Sequence, residues 1–402
     1  MMERKRRSDT YEITTDQYNA LQKLCNWYES RRRQMISISS PIGTMGWDFL
    51  QYFLDYEQIQ PNEVMYLSMD QKMVMELACD QLHAYYLNRV LYSYDQMVNL
   101  DSVPFMGKNY DGHIRTTWKR IRNKHIPEEY KLLVVLDASL LSYEMLRDLC
   151  KFDRKVLLLY DPFMISPANS YCEKSKPDIS LEMVHPSMER NPFVVMAYRV
   201  LGGNPLRPGE YGGIHVIPNK SMNLSNLKSN EMNLTISKEM ADRVNTLYRD
   251  KIMKGNPDVN HVGERLVVAQ TLYDHAISSR IEPRLRFYFV SGMIGEISKI
   301  NRHVAKTKYV PFEFTPEWSD QPFTGMSLNR NFLNHVDYPS RQIIPKSIAL
   351  MDYAYALTIL QARVTHWDTT TLICEGYNES TLHNRMMYTA IVNTDKRMTI
   401  VV

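Results

Sequence analysis

Between an apolar run at residues 35–38 and a helix-like stretch at about 46–56 lies Ser40-Pro41-Ile42-Gly43-Thr44-Met45-Gly46-Trp47. A loop between a strand and a helix is where backbone amides can cradle phosphate. A working loop reads G-x-x-G-x-G-K-[ST], in which glycines admit the phosphate, Lys neutralises it and Ser/Thr holds magnesium. Here Ser40, Gly43 and Thr44 match or nearly match. The last Gly is Met45, the Lys is Gly46 and the metal-holding hydroxyl is Trp47.

Other constellations are absent. The eleven His are dispersed, and the five cysteines (Cys25, Cys79, Cys150, Cys172 and Cys374) show no C-x-x-C spacing. That fits a reduced, cytoplasmic compartment better than a disulfide or zinc framework, and no metal or cofactor is expected. His366, beside Trp367 and Asp368, reads as a loop histidine. Gly202-Gly203-Asn204 and Gly212-Gly213 read as turns, because no strand–G-x-G-x-x-G–helix context surrounds them.

The richest binding signal lies at residues 105–125. Lys108, Arg115, Lys119, Arg120, Arg122 and Lys124 face a single acid, Asp111, and Phe105, Tyr110 and Trp118 are interleaved. Cations track a phosphodiester backbone while rings stack on bases, so this composition suits a single-strand groove. A solvated basic helix anchored by Trp118 is the plainer alternative. The Arg4–Arg7 cluster reads as a solubility tail.

Composition bounds the rest. The 402 residues suggest two to four compact units, and 44% hydrophobic with 23% charged residues is the balance of a soluble globular chain. The most apolar stretch, 348–364, is broken by Asp352, Gln361 and Arg363, so no membrane span is expected. The basic start lacks an apolar segment behind it and does not read as a secretory signal. A net charge of +3 means that any anion-binding surface must be local. The 25 Met suit core filling and adaptable contacts.

Several elements must position these residues. Thr14-Thr15-Asp16 can cap a first helix with Tyr18, Leu21, Leu24 and Trp27 on its apolar face. Strands are predicted at 64–67, 132–136 and 155–160, and a long helix at 72–90. Fully apolar strands separated by helices argue for a parallel sheet buried on both faces. After a polar stretch at 166–190, a helix at 193–200 restarts the pattern. Strands near 214–217, 266–269, 287–290 and 371–374 and helices near 238–253 and 347–361 suggest a second α/β domain. Residues 296–345, rich in Pro and aromatics, read as a small inserted β module.

Six further segments, in order, resemble superfamily 1 helicases of the RecD/Dda branch. Leu136-Asp137-Ala138-Ser139-Leu140 resembles their D-E-A-S-M, and Tyr160-Asp161-Pro162-Phe163-Met164 their G-D-P-x-Q. Arg190-Asn191-Pro192-Phe193 resembles the stretch after the fourth motif. Ser291-Gly292-Met293-Ile294-Gly295-Glu296 is similar to the turn entering their SH3-like insert. Ala356-Leu357-Thr358 through Arg363 looks like the fifth motif, and Tyr388-Thr389-Ala390 through Arg397 the sixth. Gln17 matches the adenine-reading glutamine. The resemblance covers essentially the whole chain and implies an α/β fold of two RecA-like parallel-sheet domains, 1–180 and 181–402. The first would carry a small basic insert at about 100–128, and the second an SH3-like β insert at about 296–345.

The departures from the family pattern fall on the chemistry. Besides Gly46 and Trp47, the carboxylate pair for metal and water is Leu136 and Asp137. The γ-phosphate-sensing Gln is Met164, the fourth-motif Arg falls at Met188 or Pro186, and the sixth-motif Arg is Asn393. Losing one such group costs roughly 10²- to 10⁵-fold in rate, and phosphoryl transfer is almost wholly positioning and electrostatics. The expectation is a catalytically inactive helicase fold, not an enzyme. It would bind single-stranded DNA through Lys108, Tyr110, Arg115, Trp118, Lys119, Arg120, Arg122, Thr358 and Arg363, and tether a polymerase or a replication or transcription protein. Asp70, where the family places a phosphate-contacting His, counts against DNA binding. The resemblance favours a phage source and hence a host cytoplasm. A scaffold without DNA binding, a weak residual ATPase using Gln17 and Gly43, and a binder of duplex or structured DNA are the alternatives.

Overall fold

A computed structural model of the chain describes residues 12–98, 116–253, 260–278, 286–301, 309–329, 333, 348–363, 365–374 and 380–402. The chain divides into two compact units. The first comprises residues 1–91, 123–238 and 357–402, and the second 92–122 and 239–356.

Two sheets build the first unit. Strands β1 (Met35–Ser39), β2 (Val64–Ser68), β3 (Ala84–Tyr86), β4 (Leu132–Val135), β5 (Lys155–Tyr160) and β6 (Ile179–Ser180) lie in the order β3-β2-β4-β5-β1-β6. Every pairing is parallel. Leu132–Val135 are all buried, as the unbroken apolar run requires of a strand covered on both faces. Strands β7 (Gly209–Tyr211), β8 (Ile214–Ile217), β9 (Met232–Thr235), β10 (Ala356–Thr358), β11 (Trp367–Ile373) and β12 (Thr394–Val401) form the second sheet, ordered β10-β9-β11-β12-β8-β7. Here β9, β11, β12 and β8 pair in parallel and β7 closes the edge antiparallel. These are the two α/β parallel sheets that the apolar strands implied.

Helices cover the sheets. In α1 (Thr15–Glu29) the N-cap Thr14 and Gln17 form a reciprocal capping box. Its inward face is Gln17, Ala20, Leu21, Leu24 and Trp27, whereas Tyr18 is exposed. The apolar face therefore begins at a buried glutamine rather than at the tyrosine. Helix α2 (Gly46–Tyr56) starts directly after the degenerate loop and buries Phe49, Leu50 and Phe53 completely. Each such side chain contributes about 1.5–3 kcal/mol of transfer free energy. Helix α3 (Gln71–Cys79), capped by Asp70, stops eleven residues earlier than predicted. The chain then turns into β3 on the edge of the sheet, with Ala84 buried beside β2. Helices α4 (Tyr143–Cys150), α5 (Pro192–Leu201) and α6 (Thr381–Val392) complete the layers used below.

The second unit is mostly antiparallel. One sheet has the order Ile348–Ala349, Phe323–Asn329, Tyr309–Pro316, Ile294–Ile300, Arg265–Val268, Met351–Tyr353. It is the β module, and its strands reach from 265 to 353. The predicted strands near 266–269 and 287–290 thus belong to this antiparallel unit, the former to this sheet, and not to a parallel sheet. The latter pairs with Leu272–Ser278 in a separate hairpin. The predicted helix at 347–361 is instead three short buried strands and a four-residue helix, Ile359–Ala362. A long apolar run without a polar face suits strands buried on both sides as well as a core helix. Among the described residues, no helix is long and apolar enough to cross a membrane.

Candidate functional site

The carboxyl ends of β1, β4 and β5 open into a cleft of about 490 Å³, lined by the 40–47 loop, helices α2 and α3, and residues of the second sheet's layer. Open parallel sheets bind ligands beyond these strand ends. The sequence alone determines much of the loop's shape. Pro41 begins a turn closed by the Thr44 amide, which donates to Pro41 O at 3.1 Å. Gly43 has φ +85°, and a Cβ there would lie 2.9 Å from Val194 Cγ1. Met45 takes φ 54° as the N-cap of α2.

Several polar groups of the loop have internal partners. The Ser40 and Thr44 hydroxyls lie 2.8 Å apart, and Thr44 Oγ1 donates to Pro41 O at 2.8 Å. Gln17 donates from Nε2 to Thr44 O at 2.9 Å, while its Oε1 accepts the Thr14 amide. Gln17 is 1% exposed, and its amide holds the loop to α1. The Ile42 amide donates to Asp161 Oδ2 and to the Tyr388 hydroxyl oxygen, both at 3.1 Å. Tyr388 in turn donates to Asp161 Oδ2 at 2.6 Å.

The charge of the lining is one-sided. Asp48, Glu76, Asp80, Asp137 and Asp161 line the cleft, together with His366, and neither Lys nor Arg is among the lining residues. Trp47, in the magnesium-holding position of a working loop, packs its ring 5.6 Å from Tyr66. Met164 also lines the cleft. The nearby Arg385 is committed to Phe163 O, Met164 O and Glu173. Among the described residues, the lining offers a magnesium nucleotide no Lys or Arg for its phosphates, and Trp47 stands where a working loop holds its metal. Among the described residues, no group of three His, Cys, Asp or Glu is placed to hold a metal.

The acids feel this crowding. Burial pushes Asp161 up to about 6, against the lowering effect of the Tyr388 and backbone donors. Burial, with Asp137 nearby, pushes Asp70 up to about 7 even though Asp70 caps α3. Asp137, half-buried with φ +50°, is raised by burial, and His366 partly offsets the rise. Its Oδ2 is shielded from solvent and meets no hydrogen-bond donor among the described residues. His366 is held above its ordinary value: burial opposes its charge, but Asp395, Asp137 and Asp70 outweigh it.

Asn393 is 1% exposed and donates to Ala362 O, so it lies in the core and its neighbour Val392 lines the cleft. Thr358 caps the short 359–362 helix in a capping box with Gln361, which commits its hydroxyl. Arg363 donates to Leu360 O. In the second unit, Trp118, Lys119, Arg120 and Arg122 fall on the strand Thr116–Arg122, paired antiparallel with Tyr92–Val98. The basic stretch ends in a hairpin rather than a helix. The Arg120 guanidinium lies 4.4 Å from the Tyr92 ring centre. Lys108, Tyr110 and Arg115 lie outside the described residues. Sequence reading missed the acidic lining and Tyr388. Asp48, Glu76 and Asp80 look like solvated helix positions, and nothing local marks a tyrosine 227 residues from its carboxylate partner.

No family profile matches the chain, and no curated protein does. Among solved structures, it is similar to a Pif1 helicase from Candida albicans, at 11% identity over 98% of this chain and 94% of that one, with a TM-score of 0.45. A Bacteroides Pif1 bound to single-stranded DNA aligns at 11% identity over 98% and 92%, with a TM-score of 0.47. A structure of two coordinating Pif1 helicases at forked double-stranded DNA aligns at 10% over 98% and 92%, with a TM-score of 0.49. At this identity, and with TM-scores below 0.5, none of these likenesses bears on what the cleft does.

Proposed function

We propose that this protein is a non-catalytic accessory factor that binds single-stranded DNA and tethers a polymerase or another replication or transcription protein to it, in the host cytoplasm if it is phage-encoded. The observation that carries the non-catalytic half is the cleft lining, five carboxylates and one histidine with no Lys or Arg. A triphosphate brings about four negative charges, and at short range in a partly buried site each like-charge contact costs on the order of kcal/mol. Phosphoryl transfer needs the opposite field.

The DNA-binding half is supported by the basic and aromatic stretch at 105–125, whose last residues form the strand that carries Lys119, Arg120 and Arg122. Cations and rings together suit a sequence-tolerant single-strand groove. Thr358, committed to its helix cap, contributes less to this reading than its position suggested. Retention of a labelled single strand on a filter, measured beside phosphate release from ATP in one preparation, tests both halves. The expected result is retention without hydrolysis. Hydrolysis stimulated by the strand would overturn the non-catalytic half, and no retention at low salt would overturn the other.

A further inference from the structure

The carboxylate of Asp161 gathers donors from three places. Oδ1 accepts the Phe163 amide at 2.8 Å, and Oδ2 accepts both the Ile42 amide of the loop and the Tyr388 hydroxyl of α6. Tyr388 is fully buried, and Phe163 packs edge-on against its ring at 5.8 Å. Tyr198, on α5, donates to Ile42 O at 3.3 Å, so the Ile42 peptide is engaged at both its amide and its carbonyl. Amides of a strand-to-helix loop ordinarily turn toward an anion. Here the Ile42 amide meets an anion of the chain itself.

We infer that Asp161 is an internal anion that fills the loop in place of an external ligand and, through Tyr388, clasps the first sheet to the second. Two neighbouring ties lie along the same seam: the Ile165 amide donates to Thr389 Oγ1 at 2.9 Å, and Lys72 Nζ donates to His366 O. A clasp assembled from β1, β5, α5 and α6 holds the two sheets of this unit in a single arrangement. Opening and closing on a ligand has no place in it, whether or not the protein binds DNA.

Hydrogen exchange on the full chain tests this, read on short peptides covering 40–46, 161–166 and 132–135. In the wild type, the Ile42 amide is expected to exchange at least about 100-fold more slowly than in an unprotected peptide. Tyr388→Phe keeps the ring and removes only the hydroxyl. It should raise the exchange rate of 40–46 roughly tenfold and leave 132–135 unchanged. Asp161→Asn should raise both 40–46 and 161–166. Unprotected exchange of Ile42 in the wild type overturns the clasp, as does wild-type exchange of 40–46 in a folded Tyr388→Phe protein. Should Tyr388→Phe fail to fold, the wild-type rate and Asp161→Asn decide.

Discussion

A methyl group on Gly46 would lie 2.0 Å from Ser40 Oγ and 2.6 Å from Ser40 Cβ. The position where a phosphate loop carries its lysine is therefore closed to any side chain by the residue that opens the loop. Substituting Gly46→Lys should not restore nucleotide binding. It should cost about 1–3 kcal/mol by overpacking, and Gly46→Ala should cost a similar amount. Urea unfolding measures both. A Gly46→Lys protein of wild-type stability that binds ATP would refute this account of the loop.

Gln17 divides a structural role from an adenine-reading one. It completes the cap of α1 and donates to Thr44 O across 27 residues. Gln17→Ala removes the cap partner of the Thr14 amide and leaves a buried carbonyl short of a donor. Together these should cost about 2 kcal/mol. Thermal unfolding should show the loss equally with and without ATP. A wild-type midpoint would argue that the amide does not hold the loop.

Stability should rise as the solution is acidified from about pH 8 to pH 5. Asp70, at about 7, and Asp161, at about 6, bind their protons more tightly folded than unfolded, and Asp137 shifts in the same direction. Between the unfolded and folded values the native state holds a proton that the unfolded chain has released, so raising the pH destabilises. His366, also raised, is charged in the native state over a wider range and adds the same sign. Asp70 and Asp161 each contribute about 1–3 kcal/mol over this range. Below about pH 4 the trend reverses, because Asp16, Glu63 and Glu173 are held low by their hydrogen-bond partners. Urea midpoints across this range check the sign, and a flat or rising profile from pH 5 to 8 would contradict it.

Reversing charge at Lys119, Arg120 and Arg122 together should weaken single-strand binding across all sequences. The dependence of log K on log salt should flatten by about one for each phosphate that these side chains no longer neutralise. Arg120→Glu also removes the cation from the face of the Tyr92 ring, so circular dichroism must first show that the hairpin persists. Unchanged affinity would move the groove elsewhere.

Much of the first sheet can be read from sequence. Residues 156–160 form a continuous apolar run stopped by Asp161-Pro162, and the strand ends where that run does. Thr14 and Gln17 announce α1 by a capping box spaced three residues apart. The 80–91 segment is harder, because Tyr85 and Tyr86 suit helix or strand and only the open edge beside β2 makes them strand. The largely apolar run at 347–361, broken at Asp352, has no clear period with which to choose. For the cleft, the loop's place between strand and helix is local information. Its acidic lining is not: it arises from faces of α2 and α3 that converge only in the fold, and the Asp161–Tyr388 hydrogen bond joins the end of β5 to helix α6.

The most direct test is fluorescence anisotropy of a labelled single strand of about 20 nucleotides, against a duplex of equal length, with and without magnesium-ATP at two salt concentrations. The expected result is salt-sensitive binding that prefers the single strand and is unchanged by ATP. Binding that requires ATP, or no binding at low salt, would contradict the account.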